Sequence, residues 1–66
     1  MLYPDTDIPV TVGDRPLIMY PEGDVDYVTV TEVGLTDNVV VRLPNGLGAV
    51  TLVDNLIPIW ASEYDS

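Results

Sequence analysis

The chain of 66 residues contains no cysteine, no histidine, no lysine and no phenylalanine. Without cysteine it can form no disulfide, and without cysteine and histidine it lacks the usual zinc ligands. A hydroxyl nucleophile needs an adjacent base to activate it, and the two serines, Ser62 and Ser66, lie at the very end of the sequence. We therefore expect a protein that is not an enzyme and that has no catalytic, metal-binding or cofactor-binding residues.

Two pairs of carboxylates spaced two residues apart, Asp5 with Asp7 and Asp24 with Asp26, have the spacing of some calcium ligands. Calcium requires six to eight oxygen ligands, and the twelve-residue loop with its closing glutamate is absent. Both pairs are therefore interpreted as solvated loops.

Positively charged residues are scarce. The chain has two, Arg15 and Arg42, and eleven carboxylates, which gives a formal net charge of −9. Nucleic-acid binding needs cations that replace phosphate counterions, and an anionic membrane surface repels such a chain. Neither nucleic acid nor a membrane is expected as a direct partner. A basic partner, mimicry of nucleic acid, and solubility alone remain open as reasons for the charge.

Apolar residues are abundant for so short a chain. They make up 47% of it, eleven of them valines, and the mean hydropathy is +0.25. A domain of this length buries only roughly 60% of the surface that its unfolded chain exposes. Some apolar side chains must lie outside, where a contiguous patch would indicate a partner interface, although scattered exposed apolar residues are normal.

No run of residues approaches the roughly 18 apolar residues of a membrane helix. The N-terminus lacks the basic start and the apolar stretch of a signal peptide. A cytoplasmic location is therefore expected, or the virion if the protein is viral.

Turn residues and proline divide the chain into a single domain with two short ends. Pro4 and Pro9 keep residues 1–10 out of helical geometry, so they are predicted to form an extended N-terminal arm. Residues 11–60 hold the fold, and residues 61–66 are an acidic C-terminal tail. Both ends carry side chains of the kind that anchor interfaces, which a partner or a neighbouring copy would order; mobile ends are the alternative. These side chains are Leu2, Tyr3, Trp60 and Tyr64.

Alternating apolar residues predict β-strands at 15–20, 27–33, 39–43 and 47–53, and no stretch has helical periodicity. Pro16 removes one ladder donor, so the first strand starts late or lies at an edge. Ile57, Ile59 and Trp60 would add a short last strand. The chain is therefore predicted to be all-β. The side chains expected to face the core are Val28, Val30, Val39, Val41, Leu43, Val50 and Leu52.

Two turns are especially informative. Leu43-Pro44-Asn45-Gly46 predicts a hairpin with glycine in the left-handed conformation. Val53-Asp54-Asn55-Leu56-Ile57-Pro58 predicts a turn that enters the last strand, with a single helical turn at Asp54-Asn55-Leu56 that Pro58 ends. With the strand spacing, these turns make residues 11–60 resemble the small SH3-like barrels, which include Tudor and KOW modules. The resemblance implies one five-stranded barrel with a short helical turn before its last strand, and it specifies no function.

SH3-like modules commonly bind in an aromatic groove between the first long loop and the turn before the last strand. The resemblance therefore implies a partner-binding site in this chain that would suit a basic or proline-rich peptide. Too few aromatic residues are present for a complete methyl-lysine cage. Alternatively, Trp60 and one tyrosine close an end of the barrel. The candidate partner-binding residues are Tyr20, Glu22, Asp24, Asp26, Tyr27 and Trp60.

Three functions remain open for such a chain. The first is a non-enzymatic protein–protein interaction module, such as a viral or mobile-element assembly component or a small inhibitor. The second is an acidic nucleic-acid mimic that blocks a DNA- or RNA-binding protein. The third is a structural subunit that self-assembles through its sheet edges or arms, with Arg15 and Arg42 pairing with acidic loops of a neighbouring copy.

Overall fold

The computed structural model describes residues 1–59. These residues form short β-strands and a single helical turn, and they contain no helix longer than that turn. The all-β prediction is confirmed at this level. The elements, in chain order, are β1 (Leu17–Met19), β2 (Val25–Tyr27), β3 (Thr29–Val33), β4 (Asn38–Arg42), β5 (Gly48–Leu52), a 3₁₀ turn (Val53–Asn55) and β6 (Leu56–Ile57).

The strands form two antiparallel sheets of three strands each. The first sheet has the order β2-β1-β6 and the second has the order β3-β4-β5. The strand predicted at 27–33 is thus divided at Val28, between β2 and β3. Two backbone hydrogen bonds continue the pairing across this division: the Val28 amide donates to the Pro16 carbonyl at 3.0 Å, and the Val30 amide donates to the Asp14 carbonyl at 2.8 Å. As predicted, β1 begins only after Pro16.

The core lies on one face of each sheet and consists mainly of valines. Val28 and Val30, predicted to point inward, are buried, and so are Val39 and Val41 of β4. Leu43 is partly buried and packs against this cluster, as its place in the alternation predicts. The buried apolar residues are Tyr3, Val10, Ile18, Val28, Val30, Val39, Val41, Val53 and Leu56.

The hairpin between β4 and β5 forms as its sequence predicts. Gly46 has φ +89°, and its amide donates to the Leu43 carbonyl at 2.9 Å. The Leu43 amide donates in turn to the Leu47 carbonyl at 2.8 Å, and the Asn45 side chain accepts a hydrogen bond from the Leu47 amide at 3.0 Å. This turn sets the register of the two strands that it joins.

In that register, the face of β5 that points to the core is the opposite of the one predicted. Val50 is 69% exposed and Leu52 is 50% exposed, so the prediction that they face the core is wrong. In an antiparallel pair, directly opposed residues share a face, and the buried Val41 and Val39 are opposite Ala49 and Thr51. Hydropathy alone favours burying the larger Val50 and Leu52, but pairing with β4 turns these two side chains to the outside.

The N-terminal residues fold back on the domain and do not extend from it. Leu2 and Pro9 form a β-bridge, and the Val10 amide donates to the Met1 carbonyl at 3.0 Å. The Tyr3 side chain, only 1% exposed, lies in the core, and its hydroxyl donates to Asp14 Oδ2 at 2.8 Å. Tyr3, considered above as an anchor for a partner, is thus packed inside its own chain.

The helical turn before the last strand is a 3₁₀ turn at Val53–Asn55, one residue earlier than the predicted Asp54-Asn55-Leu56. Val53 is buried, and its amide donates to the Asp37 carbonyl at 2.8 Å, which ties the turn to the connection between β3 and β4. The last strand is Leu56–Ile57 and begins one residue earlier than predicted. Trp60, assigned above to that strand, lies outside the described residues.

Candidate interaction surface

The turn between β1 and β2 positions most of the acidic residues of the predicted groove. The Tyr20 amide donates to the Asp24 carbonyl at 2.8 Å, and the Gly23 amide donates to the Tyr20 carbonyl at 2.9 Å. Gly23 has φ +96°, a conformation that glycine adopts without steric cost. The turn leaves Glu22 and Asp24 exposed at one end of the first sheet.

Tyr20 and Asp26 are brought together on the inner face at this end. Asp26 is in β2, opposite the buried Ile18, and Tyr20 follows Ile18 by two residues, so all three share a face. The pKa of the Tyr20 hydroxyl is raised above its ordinary value by desolvation first, then by its hydrogen bond to Asp26 and by the negative charges of Asp26 and Glu22. The negative charges of Asp26 and Glu22 give this end of the sheet a negative potential, which attracts cations.

Tyr27 does not join this cluster. It is adjacent to Asp26 in β2, and successive side chains of a strand point to opposite faces. Tyr27 is opposite Leu17 and is 56% exposed on the outer face of the first sheet. The structure thus brings Tyr20 together with Asp26 and places Tyr27 on the other side of the sheet, while Trp60 lies outside the described residues.

An open groove lies between the β1–β2 turn and the 3₁₀ turn. Its volume is about 460 Å³. Of the predicted residues that the structure describes, Tyr20 lines the groove; the other lining residues come from β1, from the β1–β2 turn, from the 3₁₀ turn and from β6. Asp54 adds a carboxylate to the acidic residues of the β1–β2 turn. The lining residues are Met19, Tyr20, Pro21, Asp54, Asn55 and Ile57.

The groove opens onto an apolar surface, which we call the first-sheet outer face: Leu17, Met19, Val25, Tyr27 and Ile57. Strand pairing arranges these side chains in two rows, because Leu17 is opposite both Tyr27 and Ile57 and Met19 is opposite Val25. Met19 and Val25 are 48% and 47% exposed, and Leu17 and Ile57 are partly buried. All five are apolar or aromatic, so the face presents a continuous hydrophobic surface.

The outer face of the second sheet differs in composition. Val40 and Val50 are paired there, but Val40 is also opposite Glu32, and the neighbouring pair in β4 and β5 is Arg42 with Gly48. Charged residues thus interrupt its apolar side chains, whereas none interrupts the two rows of the first-sheet outer face. This second face serves as an internal comparison in the experiments below.

Charge is distributed unequally at the two ends of the first-sheet outer face. Arg15 precedes Leu17 by two residues and is exposed, while the intervening Pro16 is buried, so Arg15 shares the face with Leu17. At the other end, the β1–β2 turn places its carboxylates on the side of Tyr20: Asp24 precedes Asp26 by two residues, and the charge of Glu22 acts on the Tyr20 hydroxyl. The outer face therefore has a cation at one end, and the carboxylates of the turn belong to the groove side.

Comparisons with protein-family models, with curated proteins and with solved structures found no match to this chain. Among residues 1–59, no group of three or more carboxylate, histidine or cysteine side chains is arranged to hold a metal ion. No helix in that range is long and apolar enough to cross a membrane.

Sequence reasoning did not identify the outer face. Leu17 and Met19 are two residues apart, and so are Val25 and Tyr27, which is the spacing of side chains on one face of a strand. The second pair is missed when residues 24–26 are assigned to a loop, whereas Val25 and Asp26 belong to β2. Only the pairing of β1 with both neighbours joins these side chains with Ile57 into one surface.

Proposed function

We propose that this chain is a non-enzymatic protein–protein interaction module that binds another polypeptide on the first-sheet outer face and in the adjoining acidic groove. The observation that carries the proposal is the uninterrupted apolar composition of that face. Exposed apolar patches with polar rims are typical of interaction sites. Tyr27 lies on the edge strand of this face, and tyrosine is enriched at binding hot spots.

The framework that we propose for this module is a small SH3-like barrel. Two features support it. The backbone hydrogen bonds from Val28 and Val30 to residues 14–16 connect the first sheet to the second. A 3₁₀ turn also precedes the last strand, as the resemblance implies. In such a framework, β2 and β3 are the two halves of one bent strand.

The groove defines the chemistry of the proposed partner. Its apolar lining, Met19 and Ile57, continues the outer face, while Asp54 and the carboxylates of the β1–β2 turn make its rim acidic. A polypeptide that offers apolar side chains together with a cationic one meets both requirements. Such a module suits an assembly component or a small inhibitor.

The test is selection of peptides that bind the full-length chain from a random displayed library, followed by titration of the selected peptides against surface variants. Met19→Thr and Tyr27→Thr should each weaken binding by about tenfold or more, because each removes apolar contact area from the face. Val50→Thr, on the second sheet, is the matched control and should leave affinity unchanged.

Two results would reject the proposal. Peptides whose affinity falls with Val50→Thr but not with the first-sheet variants would place the site elsewhere. Binding that disappears at about half-molar salt, with no effect of Met19→Thr, would indicate a purely electrostatic surface and favour the nucleic-acid mimic, because exposed charges are screened at that strength.

A further inference from the structure

We infer that the free edge of β5 (Gly48–Leu52) binds an extended segment of another polypeptide. The segment adds to the second sheet as a further strand, antiparallel to β5, with a cationic residue near its N-terminal end. This surface is separate from the first-sheet outer face and from the groove of the proposed function. Three observations carry the inference: the outward backbone groups of β5, the composition of this edge, and the carboxylates beyond its C-terminal end.

Hydrogen bonds at both ends of the β4–β5 ladder fix the orientation of the β5 backbone. At one end the Leu43 amide donates to the Leu47 carbonyl at 2.8 Å, and at the other the Val53 amide donates to the Asp37 carbonyl at 2.8 Å. Pairing between these ends is continuous. Hydrogen-bonded and non-hydrogen-bonded pairs alternate in an antiparallel ladder, so counting inward from either end gives the same assignment for every residue of β5.

Alternate residues of β5 therefore direct their N–H and C=O groups away from β4. Ala49 and Thr51 are in hydrogen-bonded pairs with Val41 and Val39, so their backbone groups are used within the sheet. In the part of the chain that the structure describes, no protein group hydrogen-bonds to the outward groups between them. Such a row of donors and acceptors is the template on which an extended peptide adds a strand. The outward-facing residues are Gly48, Val50 and Leu52.

The composition of β5 leaves this edge open to pairing. Exposed edges are commonly protected by charged side chains, proline, bulges or very short strands. β5 has five residues, Gly-Ala-Val-Thr-Leu, with no charge and no proline, and it pairs with β4 in continuous register. None of these protections is present in β5.

The other sheet edges of residues 1–59 are shorter or partly paired. β2 has three residues and contains Asp26, and β6 has two residues and is followed by Pro58. The chain itself uses the outward edge of β3, because the Gly13 amide donates to the Val30 carbonyl and the Val30 amide donates to the Asp14 carbonyl, both at 2.8 Å. A register shift also interrupts β3 after Val30. β5 therefore has the longest regular open edge in this range.

Side chains along the edge specify apolar residues at alternate positions of the partner segment. Ala49 and Thr51, on the core side of β5, are only partly buried, whereas Val41 and Val39 opposite them are 0% exposed. Side chains on the same face of neighbouring strands contact each other. Apolar side chains of the added strand would therefore lie beside Ala49 and Thr51 and remove this surface from water.

Charges at the two ends of β5 determine the direction of the segment. Asp54 follows Leu52 by two residues, the Asp37 carbonyl hydrogen-bonds to the residue between them, and both aspartates are exposed. At the other end, the pair that closes the strand is Gly48 with Arg42. Antiparallel pairing is slightly more stable than parallel pairing and places the N-terminal end of the segment beside the aspartates, where a cation is favoured. The net charge of −9 also favours a cationic partner over a second copy of the chain.

The experiment uses the synthetic peptide Lys-Lys-Thr-Val-Thr-Val-Thr, titrated to about millimolar concentration into the isotope-labelled full chain and followed by amide NMR. Its valines are placed to lie opposite Ala49 and Thr51. In the chain alone, the outward amides of Gly48, Val50 and Leu52 should exchange with solvent rapidly and those of Ala49 and Thr51 slowly. Saturation with the peptide should slow exchange of the outward amides by about tenfold or more.

Backbone N-methylation of the peptide separates strand pairing from side-chain contact. Residues opposite Gly48, Val50 and Leu52 are the hydrogen-bonded ones, so the peptide's threonines direct their N–H groups to β5 and its valines direct theirs away. N-methylation of the threonines should weaken binding by about tenfold or more, whereas N-methylation of the valines should leave the affinity near that of the parent peptide. This comparison needs no change in the protein.

A variant of β5 and a reversed peptide complete the test. Val50→Pro removes the central outward donor and spares the ladder with β4, since proline is tolerated on an edge strand where its nitrogen faces solvent. It should weaken binding by about tenfold or more, while Val50→Thr, which keeps the donor, should bind like wild type. The reversed peptide, with its lysines last, should bind more weakly than the parent, because antiparallel pairing then places the lysines far from Asp37 and Asp54.

Three results would overturn the inference. The first is slow exchange of the outward amides in the chain alone, which would show that the edge is already paired. The second is a peptide that does not bind, and the third is an equal effect of the two N-methylated forms. Peptide binding that is lost in Met19→Thr and Tyr27→Thr but kept in Val50→Pro would also overturn it, and would support the proposed function. Failure at the β5 edge leaves the library selections above unaffected.

Discussion

The Tyr3 hydroxyl donates a 2.8 Å hydrogen bond to Asp14 Oδ2, and the same carboxylate oxygen accepts a hydrogen bond from the Thr11 amide at 2.9 Å. The Tyr3 ring is buried in the core, and its hydroxyl reaches the carboxylate of Asp14. The backbone carbonyl of Asp14 in turn accepts a hydrogen bond from the Val30 amide of β3. This contact fastens residues 1–10 to the rest of the domain.

Removing that hydroxyl should destabilise the fold while keeping the aromatic ring in place. Tyr3→Phe should lower the free energy of unfolding by about 2 kcal/mol, a typical value for a hydrogen bond to a charged group. Urea denaturation measures the change. Tyr27→Phe, which removes a hydroxyl at an exposed site, should change stability by less than about 0.5 kcal/mol. Equal effects of the two substitutions would contradict a structural role for the Tyr3 contact.

Alkaline pH should destabilise the protein through the same residue. Burial, then hydrogen bonding and the charge of Asp14, raise the pKa of Tyr3 well above its ordinary value. The folded chain therefore keeps the Tyr3 proton above about pH 10, where the unfolded chain loses it. The stabilisation is complete below about pH 10 and decreases above it by about 1.4 kcal/mol per pH unit for this one group.

Thermal unfolding between about pH 9 and 11, on either side of the ordinary tyrosine pKa, measures that slope. Tyr3→Phe should be less sensitive to pH than wild type. Val41→Ala, a destabilised variant that retains every tyrosine, should keep the wild-type slope. If Tyr3→Phe also keeps the wild-type slope, Tyr3 is not the group responsible.

Gly34 is required by a close backbone contact. A Cβ added at this position would lie 2.7 Å from the Asn38 carbonyl oxygen, which also accepts the Gly34 amide hydrogen bond at 3.0 Å. Gly34→Ala should therefore cost about 1–3 kcal/mol, because backbone must shift to relieve the clash. Gly48→Ala is the control, since its Cβ would meet only the Val41 carbonyl oxygen, at 4.0 Å. Similar stabilities of the two variants by urea denaturation would contradict the described turn.

The register of β5 against β4 is testable by removing equivalent methyl groups from Val41 of β4, on the buried face, and from Val50 of β5, on the exposed face. Val41→Ala should cost about 2–3 kcal/mol, because Val41 is fully buried and its loss leaves a cavity. Val50→Ala should cost less than about 0.5 kcal/mol, since the side chain is exposed. If Val50→Ala proves the more destabilising, Val50 faces the core, as hydropathy alone predicts.

Local chemistry in the sequence was enough to locate most of the strands and the hairpin between β4 and β5, although it missed the start of β2 at Val25. Alternation identified Val28, Val30, Val39 and Val41 as core residues, because a strand with one buried face must alternate. Asn45-Gly46 identified the hairpin, because only a few residue types adopt left-handed geometry without strain. The absence of histidine and cysteine likewise limits the chemistry available to the chain, whatever fold it adopts.

Tertiary structure decided which faces those strands present. Strand pairing exposed Val50 and placed Ala49 inward, since a shift of one residue exchanges the two faces of a strand. The same pairing put Tyr27 on the outside and Asp26 beside Tyr20, and the folding back of residues 1–10 buried Tyr3. Each of these outcomes depends on contacts between residues distant in sequence. The hydropathy pattern along the chain does not specify which strands pair.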